Sequence, residues 1–158
     1  MTLAAIIILV FITLAAVVLV VSYIFSGIVI HSRRQPIVRT PEEFDLSYEE
    51  VEFKSTDDLK LSAWFIPAES GKTDQVIVLT HPMPMNRHGF LAKNQGFPPM
   101  LKTDVDLLKT IAVLHHAGYP VLAFDLRNHG ESERGITGNG LSEYQDPAGS
   151  GELYQQSF

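Results

Sequence analysis

The chain has 158 residues, no cysteine and a formal net charge of −6. Disulfides, thiolate metal sites and a cysteine nucleophile are thereby excluded, and the negative charge argues against nucleic acid as a partner, which needs a basic face. With the first thirty or so residues hydrophobic, about 125 remain for a soluble unit, which is one domain at most.

No side chain from Leu3 to Ile30 is charged, and the Ile, Val, Leu, Ala and Phe content is broken only by Thr13, Ser22, Tyr23, Ser26 and Gly27. About 20 apolar residues cross a bilayer core, so residues 1–30 read as a transmembrane anchor whose partner is the lipid bilayer. A secretory signal peptide has basic residues ahead of a shorter apolar run, and no Lys or Arg precedes this one. A buried soluble helix is the remaining reading, but a helix apolar all round suits so small a domain poorly. His31, Arg33, Arg34 and Arg39 follow before any acid, the flank expected on the cytoplasmic side. The expected topology is a single pass with the N-terminus outside and the folded part cytoplasmic.

Residues 31–43 read as a basic linker ending in a short helix, with Thr40 as N-cap, Pro41 at the first position and Glu42 and Glu43 in the first turn. Val51 and Phe53, then Leu59, Leu61, Ala63 and Phe65, alternate with their neighbours at period two. Two half-buried strands follow from this, joined through the turn-rich Ser55-Thr56-Asp57-Asp58 as an antiparallel hairpin. Val76-Ile77-Val78-Leu79 is continuously apolar, as in a strand covered on both faces of a parallel sheet. Apolar residues recur at helical spacing from Leu101 to Ala117, with Thr103 as N-cap and Gly118-Tyr119-Pro120 as stop. Val121-Leu122-Ala123-Phe124 is a second buried strand, which completes a βαβ unit.

Two features place a site in this unit. The connection from His81 to Lys102 is about twenty residues, against the usual two to six, and loops of that length are commonly functional. Ligands of open α/β sheets bind outside the carboxyl ends of the strands, where His81 and Asp125 lie.

The hairpin, the apolar strand ending in His81-Pro82-Met83, the helix and the run Phe124-Asp125-Leu126-Arg127-Asn128-His129-Gly130-Glu131-Ser132 together resemble the N-terminal half of the α/β-hydrolase superfamily. The likeness is to its membrane-anchored, serine-aminopeptidase-like or monoacylglycerol-lipase-like members, over residues 44–146, and the last run is similar to the family's F-D-x-R-x-x-G-x-S loop. The fold class implied is α/β, an N-terminal transmembrane helix followed by a truncated α/β-hydrolase sheet made of a hairpin and a βαβ unit. The activity implied is serine-dependent hydrolysis of an ester, thioester or amide, on a small acyl or peptide substrate in the full-length protein, with no cofactor. One oxyanion-hole donor of this family comes from the loop after the third strand. In His81-Pro82-Met83-Pro84-Met85 only Met83 and Met85 have an N–H to give near the strand end, and Met83 is the expected donor. The family more often has Gly where Pro82 stands. The resemblance makes His81 a structural strand-end residue and gives Asp125, Arg127, His129, Gly130 and Ser132 a role in loop architecture. Asn86, Arg87 and His88 either line the substrate entrance or are solvated loop residues. His115 and His116, in the last turn of the helix, read as surface residues.

No G-x-S-x-G occurs in the 158 residues, and Gly130-Glu131-Ser132-Glu133-Arg134 has Arg where the second Gly is needed. The nucleophile, acid and base of the family's triad are therefore absent from the sequence. No histidine and carboxylate spacing suggests a metal, and no glycine-rich phosphate loop follows either buried strand. Asp146 is followed by Pro147-Ala148-Gly149-Ser150-Gly151, which opposes a helix, so residues 147–158 are expected to be a tail foreign to the family and the chain a truncated or frame-shifted form or the product of an incomplete gene model, with a genuine short form as the alternative. A sheet cut after its fourth strand exposes an unpaired edge and invites aggregation. The reading from a different functional class is a non-catalytic, membrane-tethered binding or interaction module. A nucleotide-binding βαβ protein is disfavoured by the missing glycines.

Overall fold

In the computed structural model, residues 2–30, 34–69, 75–94, 102–138 and 140–157 are described. The chain divides into two compact units, Met1–His31 and Ser32–Phe158. The first is a single helix, α1 (Leu3–Ile30), of 28 residues, whose apolar side chains from Leu3 to Phe25 are exposed. At a rise of 1.5 Å per residue such a helix is about 42 Å long, more than the roughly 30 Å hydrocarbon core of a bilayer. The Thr13 hydroxyl donates to the Leu9 carbonyl at 2.8 Å, so this polar group is satisfied within the helix.

The second unit begins with a 3-10 turn, Pro41–Phe44, where the sequence predicts a short helix; Thr40 precedes it in extended conformation without a side-chain capping bond. The predicted hairpin follows as β1 (Glu49–Lys54) and β2 (Lys60–Ile66), in register from Glu49 opposite Phe65 to Lys54 opposite Lys60. Ser55 closes its turn, the backbone N–H donating to the Leu59 carbonyl at 2.8 Å and the hydroxyl to Asp57 at 2.6 Å. Only β1 is half-buried as expected. Trp64 and Ile66, on the side of β2 that the alternation leaves outward, are fully enclosed. β2 is an interior strand, and its second face meets a helix.

That helix is α2 (Leu107–His116), set between β3 (Ile77–Leu79) and β6 (Val121–Phe124). The sheet runs β1-β2-β6-β3, with β2 and β6 antiparallel and β3 and β6 parallel. Alternation along β6 sorts the core into two layers. Val121 and Ala123 join Trp64, Ile66, Leu108, Ile111 and Ala112 on the α2 face, while Leu122 and Phe124 join Phe53, Leu61, Ala63 and Phe65 on the other. β3 departs from the expectation of a strand covered on both faces. It is the outer strand of the sheet among the described residues, and Val78 is 37% exposed.

The helix starts later than its apolar spacing predicts. Asp106, not Thr103, is the N-cap, accepting from the Lys109 N–H at 3.4 Å. Val105–Asp106 is withdrawn into a two-stranded ribbon (β5) with Gly89–Phe90 (β4). Gly89, at φ +111, is required there, because a Cβ would lie 2.0 Å from the Val105 carbonyl oxygen. Leu101, the first residue of the predicted helix, lies outside the described residues. The helix stops before Gly118 as predicted; Gly118 is left-handed, and the Gly118 and Tyr119 N–H groups donate to the His115 and Leu114 carbonyls.

The expectation against a helix after Asp146 is overturned: Gln145–Ser157 is helical (α3). Pro147 falls in the first turn, where the N–H it lacks has no intrahelical acceptor anyway. Gly149 allows close packing on the end of β1, where a Cβ would come 1.9 Å from the Lys54 carbonyl oxygen.

Candidate functional site

Parallel pairing of β3 with β6 brings His81 and Asp125 together at the carboxyl end of the sheet, with His81 Nε2 3.9 Å from Asp125 Oδ1. Asp125 is the hub. Its Oδ1 accepts from the Arg87 backbone N–H at 2.7 Å, and its Oδ2 accepts from Arg87 Nη1 at 2.6 Å and from the Glu131 N–H at 3.0 Å. The second arm of Arg87 pairs with Glu131, and its guanidinium lies over the Trp64 ring, 4.5 Å from the centroid. Gly130 turns the loop at φ +43, where a Cβ would overlap Asp125 Oδ2 at 2.1 Å. The F-D-x-R-x-x-G-x-S run thus closes on its own aspartate, and Gly there is a steric requirement.

Ser132 is enclosed and engaged, its hydroxyl donating to the Asp125 carbonyl at 2.5 Å and accepting from the Ser62 N–H at 2.9 Å. It ties the loop to β2 and has no proton to give a base. His81 is engaged through both ring nitrogens: Nδ1 donates to the Pro82 carbonyl at 3.2 Å and Nε2 accepts from the Leu126 N–H at 3.1 Å. Burial pushes its pKa down to about 4, with Asp125 opposing and His129 reinforcing the shift. A neutral histidine whose lone pair is bonded to an amide is a strut. His129 stacks edge-on against it at 5.2 Å, and His129 Nδ1 is 2.9 Å from the Arg127 carbonyl oxygen.

Arg127 reaches away from this cluster. Its backbone N–H and Nε each donate to Asp146 at 2.8 Å, and Nη1 and Nη2 donate to Asp57 at 2.9 and 2.6 Å. One guanidinium therefore fastens the β1–β2 turn to the start of α3. It also holds the Asp57 carboxyl down at about 2.

Asn86, Arg87 and His88, read from the sequence as the substrate entrance or solvated loop, are all buried. The Asn86 amide donates to the Gln35 and Pro36 carbonyls at 3.1 and 3.2 Å, and His88 Nε2 is 3.3 Å from the Pro36 carbonyl oxygen. These side chains secure the start of the soluble unit to the strand-end loop, and Arg87 serves Asp125. Met83 lies in a turn closed by the Met85 N–H, which donates to the Pro82 carbonyl at 2.9 Å. Its own N–H meets no acceptor among the described residues, and its side chain is exposed. Of the two N–H groups at this strand end, Met83 has the one left over.

Sequence reasoning missed Arg34, which donates to the Gly130 and Ser132 carbonyls, and the roles of Asp57, Asp146 and Glu131 as carboxylate partners. A buried Arg in the loop motif demands carboxylates, which is the one signal that could have pointed to them.

No protein-family model and no curated protein sequence matches the chain. Solved structures do. The esterase Pf2001 of Pyrococcus furiosus in space group P212121 matches with a TM-score of 0.64 at 25% identity, over 82% of this chain and 43% of the esterase. The same esterase in space group P21 gives 0.61 at 28% identity, over 80% of this chain and 43% of the esterase. The chain is a relative of the α/β hydrolases, and it spans less than half the length of these neighbours.

Proposed function

We propose that these residues are the N-terminal part of a membrane-anchored α/β hydrolase acting on an ester, thioester or amide, with the Met83 N–H as one donor of its oxyanion hole. The observation that carries the reading is the likeness to an esterase at 25–28% identity, covering about four-fifths of this chain. The unengaged Met83 N–H at the carboxyl end of β3 supports the donor assignment, because a donor bonded elsewhere could not meet charge as it develops on a substrate carbonyl. Asp125, Arg87, Gly130 and Ser132 hold the neighbouring loop rigid, and His81 braces the strand end. None of them is the nucleophile or the base. Helix α1 anchors the unit in the bilayer, with the basic flank and the soluble unit on the cytoplasmic side.

A second reading follows from the absence of G-x-S-x-G in the 158 residues. By it, the soluble unit is a tethered module that binds without catalysing. Reading the gene past the codon for Phe158 and probing the product with a fluorophosphonate separates the two. The hydrolase reading requires a strand followed by G-x-S-x-G, and a label on that serine. A frame that stops there, with an unlabelled 158-residue product accumulating in membranes, favours the tethered module. A fluorophosphonate label on a serine of the 158 residues themselves would contradict both.

A further inference from the structure

We propose that Glu69, His115 and His116 form a site for a borderline divalent transition cation, with Zn2+ as the probe. One ligand atom from each residue lies within 4.8 Å of those of the other two. Among the described residues this is the cluster of histidine and carboxylate groups close enough to share an ion. The fold builds it from separate places. Glu69 follows β2, and the two histidines end α2. Ile66 of β2 and Ile77 of β3 both pair with Val121, the first residue of β6, so the cluster sits at the end of the sheet opposite Asp125 and His81.

A second observation points to a ligand. His115 Nδ1 is 2.9 Å from the Pro67 carbonyl oxygen. That bond fixes the tautomer with the proton on Nδ1, and so leaves the Nε2 lone pair free and aims the ring. Histidines that ligate metals are oriented in this way by a carbonyl or carboxylate on the far nitrogen. The other two ligands adjust easily. His116 Nδ1 is 3.9 Å from Glu69 Oε2, and both side chains are mostly exposed. Ligands about 2.0–2.1 Å from a tetrahedral Zn2+ are about 3.4 Å apart, so closing the pair moves it by about half an ångström. The carbonyls at the end of α2 add negative potential beside the site.

Two imidazoles and one carboxylate select Zn2+, Ni2+ or Cu2+ over Mg2+ and Ca2+, which prefer all-oxygen shells. Three protein ligands leave at least one position for water. Remote from the strand ends, the ion would act on structure, clasping the segment after β2 to α2.

The experiment is a calorimetric titration of Zn2+ into the tag-free, chelator-stripped full chain in detergent micelles, with imidazole NMR of the same unsubstituted sample. Binding of about one Zn2+ per chain is expected, with the His115 and His116 resonances shifting and those of the buried His81, His88 and His129 staying in place. Glu69→Gln and His116→Ala, both at exposed positions, should each weaken binding at least about tenfold, and Mg2+ should give no saturable heat. Absence of saturable Zn2+ binding would overturn the proposal. So would shifts confined to other histidines, or an affinity unchanged in the Glu69→Gln, His116→Ala double variant. The NMR reading needs no substitution, so a variant that failed to fold would leave the conclusion standing on the parent chain.

Discussion

His81 is enclosed by Asp125, His129, the Leu126 amide and, farther off, the charge of Arg87, and its pKa in the folded chain is about 4. Unfolded, it titrates near 6.5. Between these values the unfolded chain binds a proton that the folded chain refuses, so stability rises with pH across the window. The contribution is complete above about pH 6.5 and gone below about pH 4, an amount on the order of 3 kcal/mol. Urea unfolding of the soluble unit followed from pH 7 to pH 4 should show this loss, and His81→Gln should flatten the slope whatever its effect on stability at neutral pH. An unchanged slope in that variant would assign the loss to other groups. Met83 is tested through its backbone. In a polypeptide that carries the nucleophile as well as this loop, Met83→Pro deletes the N–H and should lower kcat by about 10²–10³-fold with KM little changed. Met83→Leu, which keeps the N–H, should be near normal. Equal kcat in the two variants would remove Met83 from the oxyanion hole.

Arg127 is the link between α3 and the β1–β2 turn. Asp146 is fully enclosed, in the first turn of α3, and its partner is Arg127. Arg127→Met leaves that carboxylate buried without a cation, a loss of about 3–5 kcal/mol, whereas Asp57→Asn, at a carboxyl 37% exposed, should cost under about 1 kcal/mol. Hydrogen exchange tells where the loss falls: α3 amides should lose protection in Arg127→Met while those of β6 keep theirs. Uniform loss would mean that α3 is not separately held. Lysine is no substitute, since it cannot make the forked contacts to Asp57 and Asp146 together. The same elements show what the sequence made legible. The hairpin, β6 and the Gly118 stop follow from alternation, continuous apolar runs and glycine chemistry, all local signals. Three features were not legible. Trp64 and Ile66 are buried because α2 packs over them; β4 and β5 are two residues each, too short to show a period; and α3 forms despite Pro147 and Gly149 because Arg127 and the Lys54 carbonyl receive it. At the site, the sequence places His81 and Asp125 at strand ends and Gly130 and Ser132 in the loop that follows. Their hydrogen bonds, and the burial of Asn86, Arg87 and His88, depend on contacts distant in sequence.

The proposed anchoring by α1 carries a direction, with the soluble unit on the cytoplasmic side, and that direction can be tested. α1 is long and apolar enough to cross a bilayer, but a helix cannot by itself report its direction. The proposed cytoplasmic placement follows from His31, Arg33, Arg34 and Arg39 flanking the apolar helix, since positive residues near a span are retained on that side. Part of that charge has another use: Arg34 donates to the Gly130 and Ser132 carbonyls, so it serves the folded unit as well as any topological signal. The absence of cysteine makes the test clean, because one introduced thiol is the only one in the chain. Leu141 is 83% exposed and lies between the strand-end loop and α3, so Leu141→Cys should leave the core intact. A membrane-impermeant maleimide added to intact cells should leave this cysteine unlabelled and should label it once detergent is present. Labelling of intact cells would put the soluble unit outside and reverse the assignment. Replacing Arg33 by Gln, with Arg34 kept for its loop contacts and Arg39 for its pairs with Glu43 and Asp106, should raise the labelled fraction if the basic flank sets the direction.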